Sequence, residues 1–458
     1  MSKVLPGHLR ALLRDGDEGA TGRLAALLSR DDTGPLSTSR LRRGLSLSKV
    51  AMKAGAHALG YDPKGLELAM EMVRTFGELR GITAKLGQML SYVDDALPPE
   101  AKKVLALLQR DLPPMPFETV ESVIRAELGP IRDHFVDFET RPFAAASIGQ
   151  VHRAKKRDGA LVAVKVQYPG IEAAMAADLK NAKVGALMKR VLFYNTDFDG
   201  IFAELEQRFL DECDYRKEAQ YQEDFARRFA NHPVIIIPDV HRAETARRVL
   251  TTTLMEGQSF HEWLESDPST ETRSSATRAF YRFYLGSFYL DGLFNCDPHP
   301  GNYLFRSDGS IVFLDHGCAR RYPRDRINEW VQLCLAVVHD DGPALDRLAV
   351  SMGFFAPETQ YDRESFRGLL RYLYLPYLED VEFDFAGHRP VETFRRMFVD
   401  NANLRALNMP PDAVFLNRIG FGLVSLMSEI GSKLNIHRMA HAYFEGIDPD
   451  WIETRGAR

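Results

Sequence analysis

Asp297-Pro298-His299-Pro300-Gly301-Asn302 and Leu314-Asp315-His316-Gly317 decide how this chain is read. Asn302 follows Asp297 by five residues, and Asp315 follows Asn302 by thirteen. The interval reads as a β-hairpin. Tyr303-Leu304-Phe305 and Ile311-Val312-Phe313-Leu314 are β-rich runs, and Ser307-Asp308-Gly309-Ser310 supplies an Asp-Gly turn. Such a hairpin returns the chain and sets Asp315 beside Asn302. Phosphoryl transfer from a nucleotide uses that placement: the Asn and the second Asp hold Mg²⁺ on the phosphates, and the first Asp faces the acceptor. Either motif alone is a weak signal.

Upstream, Val162-Ala163-Val164-Lys165 reads as a strand whose Lys can reach the α/β-phosphates, provided a carboxylate holds it. A helix expected over 201–229 offers Glu212, Asp214 and Glu218. Asp214 and Glu218, four apart, would share a face, and Glu218 is the expected partner of Lys165. Thr252, with Leu254 beyond it, ends a strand before Met255-Glu256-Gly257 and would border an adenine pocket. The phosphate-covering loop would be Ala144-Ala145-Ala146-Ser147-Ile148-Gly149-Gln150. Alanine restricts φ where a Gly-rich loop would let the backbone close on phosphate, so this loop should be stiffer. No Ala-Pro-Glu segment follows Asp315, which leaves a peptide substrate without its usual docking surface. A different metal site built from His299, His316 and the two Asp residues is an alternative. Loop-orienting hydrogen bonds are the simpler role for both histidines.

The 458 residues allow a two-lobed domain with an extension, and 45% hydrophobic with 26% charged residues is ordinary for a globular protein. The net charge of −5 gives no reason to expect nucleic acid as a partner. Residues 1–60 carry ten Lys or Arg against five Asp or Glu, a basic bias that most simply forms a solvated face. No run of eighteen apolar residues predicts a membrane span, and the N-terminus has no apolar signal core. The four cysteines lack Cys-x-x-Cys pairing and read as packing thiols in a reducing compartment. The expected organisation is a flexible arm over 1–42, a helical extension over 43–134, a β-rich lobe over 135–256 and a helical lobe over 257–458. Within the sheet lobe, Gln150–Ala154 and Leu161–Gln167 flank an Arg157-Asp158-Gly159 turn, and Val234–Ile237 and Val249–Met255 follow as strands.

Lys85-Leu86-Gly87-Gln88, the alanine stretch 144–146, Glu212-Cys213-Asp214 and the Lys165/Asp297/Asn302/Asp315 set together resemble the UbiB (aarF-domain) atypical kinases. Arg141-Pro142-Phe143 through His152, and Val166-Gln167-Tyr168-Pro169-Gly170, look like the mitochondrial coenzyme Q branch. The resemblance implies an α+β, kinase-like bilobal fold. Its helical extension would lie over the cleft, with Lys85 and Gln88 meeting Glu212 and Asp214. It implies ATP or ADP with Mg²⁺ as cofactors and ATPase rather than protein-kinase behaviour. A lipid or quinone-like partner is implied at the periphery of a membrane, in bacterial cytoplasm or mitochondrial matrix. His316 departs from the family, which carries Phe there. A nucleotide-binding pseudokinase scaffold and a small-molecule phosphotransferase are the alternatives.

Overall fold

The computed structural model describes residues 114–173, 210–385, 402–403, 406–408 and 410–449. The chain divides into two compact units, and every described residue lies in the one containing Pro114–Arg458. The arm over 1–42, and Lys85 and Gln88 with their helix, fall outside the described residues.

Alternation builds the sheet. Helix α1 (Phe117–Glu127) precedes β1 (Phe135–Phe138), β2 (Ala144–Ala146), β3 (Gly149–Lys156) and β4 (Leu161–Gln167). After helix α2 (Tyr215–Arg228) come β5 (Ile235–Ile236) and β6 (Val249–Thr253). β1, β3, β4 and β6 are antiparallel neighbours in that order, and β2 pairs with β3. Val162, Val164 and Val166 of β4 point to one face, where α1 covers them with Val120, Val123 and Ile124. That i, i+3, i+4 spacing is why 117–127 is helical. Ala163 and Lys165 necessarily take the opposite face, and their cross-strand partners Thr252 and Leu250 join them there.

The remainder is largely helical: α3 (Phe260–Glu265), α4 (Thr270–Tyr281), α5 (Ser287–Asp291), α6 (Arg324–Val338), α7 (Gly342–Ser351), α8 (Arg363–Leu373), α9 (Pro411–Ile430) and α10 (Ile436–Phe444). A π-turn, Arg282–Gly286, joins α4 to α5. Short strands hold the motif loops between these helices. β7 (Leu293–Asn295) pairs antiparallel with β10 (Ala319–Arg321), and β8 (Tyr303–Phe305) with β9 (Ile311–Phe313). Phe280, Phe283, Phe288, Phe294 and Phe313 are buried at the centre of this body. Together these parts form an α+β, two-lobed fold.

Two local expectations are corrected. The helix expected over 201–229 is broken before Tyr215. Asp214 is extended (φ −120°, ψ 94°), and its carboxylate accepts the Arg216 amide as the N-cap of α2. A short acid competing for backbone N–H groups ends one helix and starts the next. Asp214 and Glu218 therefore do not share a helical face. The strand expected over Val234–Ile237 narrows to Ile235–Ile236 and runs parallel to β9 rather than joining the large sheet. His232 Nδ1 accepts the amides of Val234 and Ile235 at 3.2 and 3.0 Å, which leaves little of the run free for a ladder.

Candidate active site

The β8–β9 hairpin pairs Tyr303 with Phe313, and Leu314 N donates to Asn302 O at 2.9 Å. Asn302 and Asp315 thus stand at adjacent ends of one ladder. Asn302 Nδ2 donates to Asp297 O at 3.1 Å and lies 3.5 Å from Asp297 Oδ2. Asp297 itself is buried, only 4% exposed. Tyr284, on the π-turn, donates its hydroxyl to the same Asp297 carbonyl at 3.2 Å. Pro298 presses on α9 at Gly422, where an added Cβ would sit 2.5 Å from the proline ring.

Across the cleft, Lys165 Nζ donates to Glu218 Oε1 and Oε2 at 2.8 and 3.1 Å. Asp315 Oδ2 is 3.9 Å from the same nitrogen. The sheet's lysine, an α2 carboxylate and the post-hairpin aspartate therefore meet at one point. Lys165 also lies over the Tyr215 ring, 5.0 Å from its centroid. Burial would lower the Lys165 pKa, but the charges of Asp315 and Glu218 outweigh it and hold the ammonium above its ordinary value. One cation cannot neutralise two carboxylates. Burial, opposed by Lys165 and reinforced by Asp315, pushes Glu218 up to about 7.

The alanine stretch is not an open loop. Ala144, Ala145 and Ala146 pair with Val151, Gln150 and Gly149, so a two-residue turn at Ser147 and Ile148 closes a hairpin. Gly149 permits this closeness: a Cβ there would come 2.3 Å from Val166 O and 3.0 Å from Tyr215 Oη. Thr252 is half-buried on β6, opposite Ala163, and Leu254 follows with its amide on Leu161 O at 3.0 Å. Glu212 is buried, and Asp214 is paired with Arg216 at 2.7 Å.

The two histidines diverge. His299 orients its loop as expected, its Nδ1 accepting Gly301 N at 3.0 Å. His316 does not act that way. It is fully buried, neither ring nitrogen has a hydrogen-bond partner, and its ring lies 5.2 Å from Phe225 and 6.2 Å from Phe283. Burial holds its pKa at about 4, so the imidazole is neutral and fills the place of an apolar ring.

Asn295 is the residue that sequence reasoning missed. Its Nδ2 donates to Asp315 O at 2.8 Å, and its Oδ1 accepts Asp297 N at 3.0 Å. One amide thereby fixes both motif aspartates by their backbones. A lone Asn at the end of a short strand carries no local signal for that role.

The donor set suits a magnesium-bound phosphate. Among the described residues no three His, Cys, Asp or Glu side chains gather as a metal cage, which removes the His299/His316 alternative. Mg²⁺ needs less from protein, one or two oxygen ligands with phosphate and water completing the octahedron. Asn302 and Asp315 are such a pair. The Tyr215 hydroxyl, buried beneath Lys165 with no partner, adds an unmet donor on the phosphate side.

The fold and this cleft define a kinase-like protein. Residues 107–349 match the ABC1 atypical kinase-like domain. Over 329 residues the chain is 33% identical to the chloroplastic Protein ACTIVITY OF BC1 COMPLEX KINASE 3 of Arabidopsis thaliana, covering 69% of this chain and 46% of that one. It is 26% identical to Atypical kinase COQ8, mitochondrial, of Saccharomyces cerevisiae over 420 residues, covering 88% and 83%. The structure of Rv3197 from Mycobacterium tuberculosis, solved with erythromycin, superposes with a TM-score of 0.58 at 27% identity, covering 81% of this chain and 95% of that one. The chain spans about half the length of the plant relative, 46%, and of the chicken AarF domain-containing protein kinase 1, 54%. This chain belongs to the ABC1 (UbiB, aarF-domain) atypical kinase family.

Proposed function

We propose that the chain binds Mg²⁺ with ATP or ADP in this cleft and turns ATP over as an ATPase or small-molecule phosphotransferase. The observation that carries this reading is the convergence of Lys165, Glu218 and Asp315 within 3.9 Å of one ammonium. Magnesium, when bound, would neutralise phosphate charge and bridge its oxygens. Asn302 and Asp315 would hold it. Lys165, oriented by Glu218, would bind the phosphates. Asp297 would accept a proton from the attacking hydroxyl or water at its carboxylate. The Ala144–Ala146 hairpin with Ser147 would cover the phosphates, and Thr252 and Leu254 would border the base.

The burial of Asp297 favours a small acceptor, water included, over a protein side chain. Likeness to the COQ8 relatives supports a setting in isoprenoid-quinone synthesis or lipid handling, peripheral at a membrane in bacterial cytoplasm or mitochondrial matrix. No helix among the described residues is long and apolar enough to cross a membrane. The close pairing of Ala144–Ala146 with β3 favours a second reading, a nucleotide-binding scaffold without useful turnover.

Phosphate release with Mg-ATP tests the choice. Asp315→Asn should lower turnover by about 100-fold or more, the scale of a lost transition-state electrostatic contact. Unchanged Mg²⁺-dependent turnover in that variant would refute the metal assignment, whereas wild-type nucleotide binding without turnover selects the scaffold.

A further inference from the structure

A second cavity lies within the helical lobe, and no role in the nucleotide chemistry uses it. Its volume is about 160 Å³, and its walls come from the π-turn and α5, the segment after α8, and α9. The lining is apolar and aromatic, including Phe288, Trp330, Phe385, Leu423 and Met427, and contains no charged side chain. An enclosed space of roughly this size takes one benzene-like ring. Polarity is confined to tyrosine hydroxyls. Tyr281, Tyr289, Tyr374 and Tyr377 all line it, and burial raises the pKa of each, so all four are neutral.

Tyr281 is the unusual member. Its side chain is 2% exposed and its hydroxyl has no hydrogen-bond partner; Tyr377 lies close by but outside hydrogen-bonding geometry. A buried donor left unmet costs about 1–3 kcal/mol in general. A polar group of that kind beside an open cavity is the mark of a site awaiting an acceptor. The opening falls at Gly420 of α9, which is exposed and faces empty space: an added Cβ would meet nothing within 4 Å.

We propose that this cavity binds a neutral, mainly apolar small molecule: one ring carrying an oxygen acceptor that takes the Tyr281 hydroxyl. Neutrality follows from the uncharged walls, ring size from the volume, and the acceptor from the unmet donor. The site is separate from the nucleotide cleft, and the proposal does not rest on nucleotide chemistry. Two of its walls nevertheless hold the Asp297 loop: Tyr284 of the π-turn binds the Asp297 carbonyl, and Gly422 of α9 bears on Pro298.

Acetophenone and ethylbenzene, which share shape and differ in the oxygen, are the probes, read by ligand-observed NMR titration of the full chain. Acetophenone should bind about fivefold to tenfold more tightly, the size of one hydrogen bond to an otherwise unmet donor. Tyr281→Phe should erase that preference while retaining ethylbenzene. Gly420→Leu, which adds a side chain in open space and improves helix propensity, should keep the wild-type circular dichroism and lose both probes. The proposal fails if wild type binds neither probe, if the two bind equally, or if Gly420→Leu leaves binding intact.

Discussion

Lys165 is one cation between two acids, and that imbalance governs its surroundings. Glu218 is closed off by α2 and β4, so its charge is tolerable only because the ammonium lies 2.8 Å away. Its folded pKa of about 7 exceeds the ordinary 4.5. The folded state therefore holds the extra proton between those values, and stability falls as pH rises through that window. Lys165→Met should sharpen this dependence. At pH 8 it leaves two uncompensated carboxylates and should cost on the order of 3 kcal/mol, whereas near pH 5 Glu218 takes up a proton and the cost shrinks. Urea unfolding at the two pH values measures it; an equal loss at both would contradict the charge argument. Asn295 works at the same scale but by position, since its amide joins two backbones and touches no reacting atom.

Short elements place the site, and their ends matter more than their middles. β5 is two residues long, yet it anchors β9 and through it the hairpin that carries Asn302 and Asp315. His232 holds the start of β5 by accepting two amides on Nδ1, which requires an unprotonated nitrogen. Burial, aided by the charges of Arg282 and Arg228 and opposed by Asp448, lowers its pKa to about 4 from the ordinary 6.5. The sign is the reverse of Glu218. The folded state binds fewer protons between 6.5 and 4, so this contribution is complete above pH 6.5 and disappears as pH falls to 4. Its size is on the order of 2 kcal/mol. His232→Asn, whose amide oxygen can still accept, should flatten the acid limb of the stability curve without lowering stability at pH 8. A limb of unchanged slope in that variant would remove His232 as its source.

At the scale of the molecule, the site exists only where the two lobes meet. Lys165 comes from the sheet, Glu218 from the helix beside it, and Asp297, Asn302 and Asp315 from loops held by the helical body. A ligand that touches both sides should stabilise the whole protein. At a hundredfold excess over its dissociation constant, Mg-ATP would add about 2.7 kcal/mol and raise the melting temperature by a few degrees. Lys165→Ala and Asp315→Asn should each abolish that shift, because each removes one side of the clasp. A full shift in either variant would locate the nucleotide elsewhere.

The sequence by itself determined whatever depends on neighbours in the chain. The Asp-Gly turn between two β-rich runs gave the hairpin, the valine alternation of β4 gave the face on which Lys165 stands, and motif spacing gave the order of the reactive groups. Glu218 could be chosen over Glu212 and Asp214, although the reason it stands on α2 is a cap that periodicity did not show. Tertiary structure alone decided the Asn295 bridge between Asp297 and Asp315, the contact of Pro298 with Gly422, the neutral packing of His316 against Phe225 and Phe283, and the cavity beside Tyr281. The physical reason is range. Turn chemistry and period-two burial act over a few residues, whereas packing and long-range hydrogen bonds join positions whose proximity no local pattern encodes.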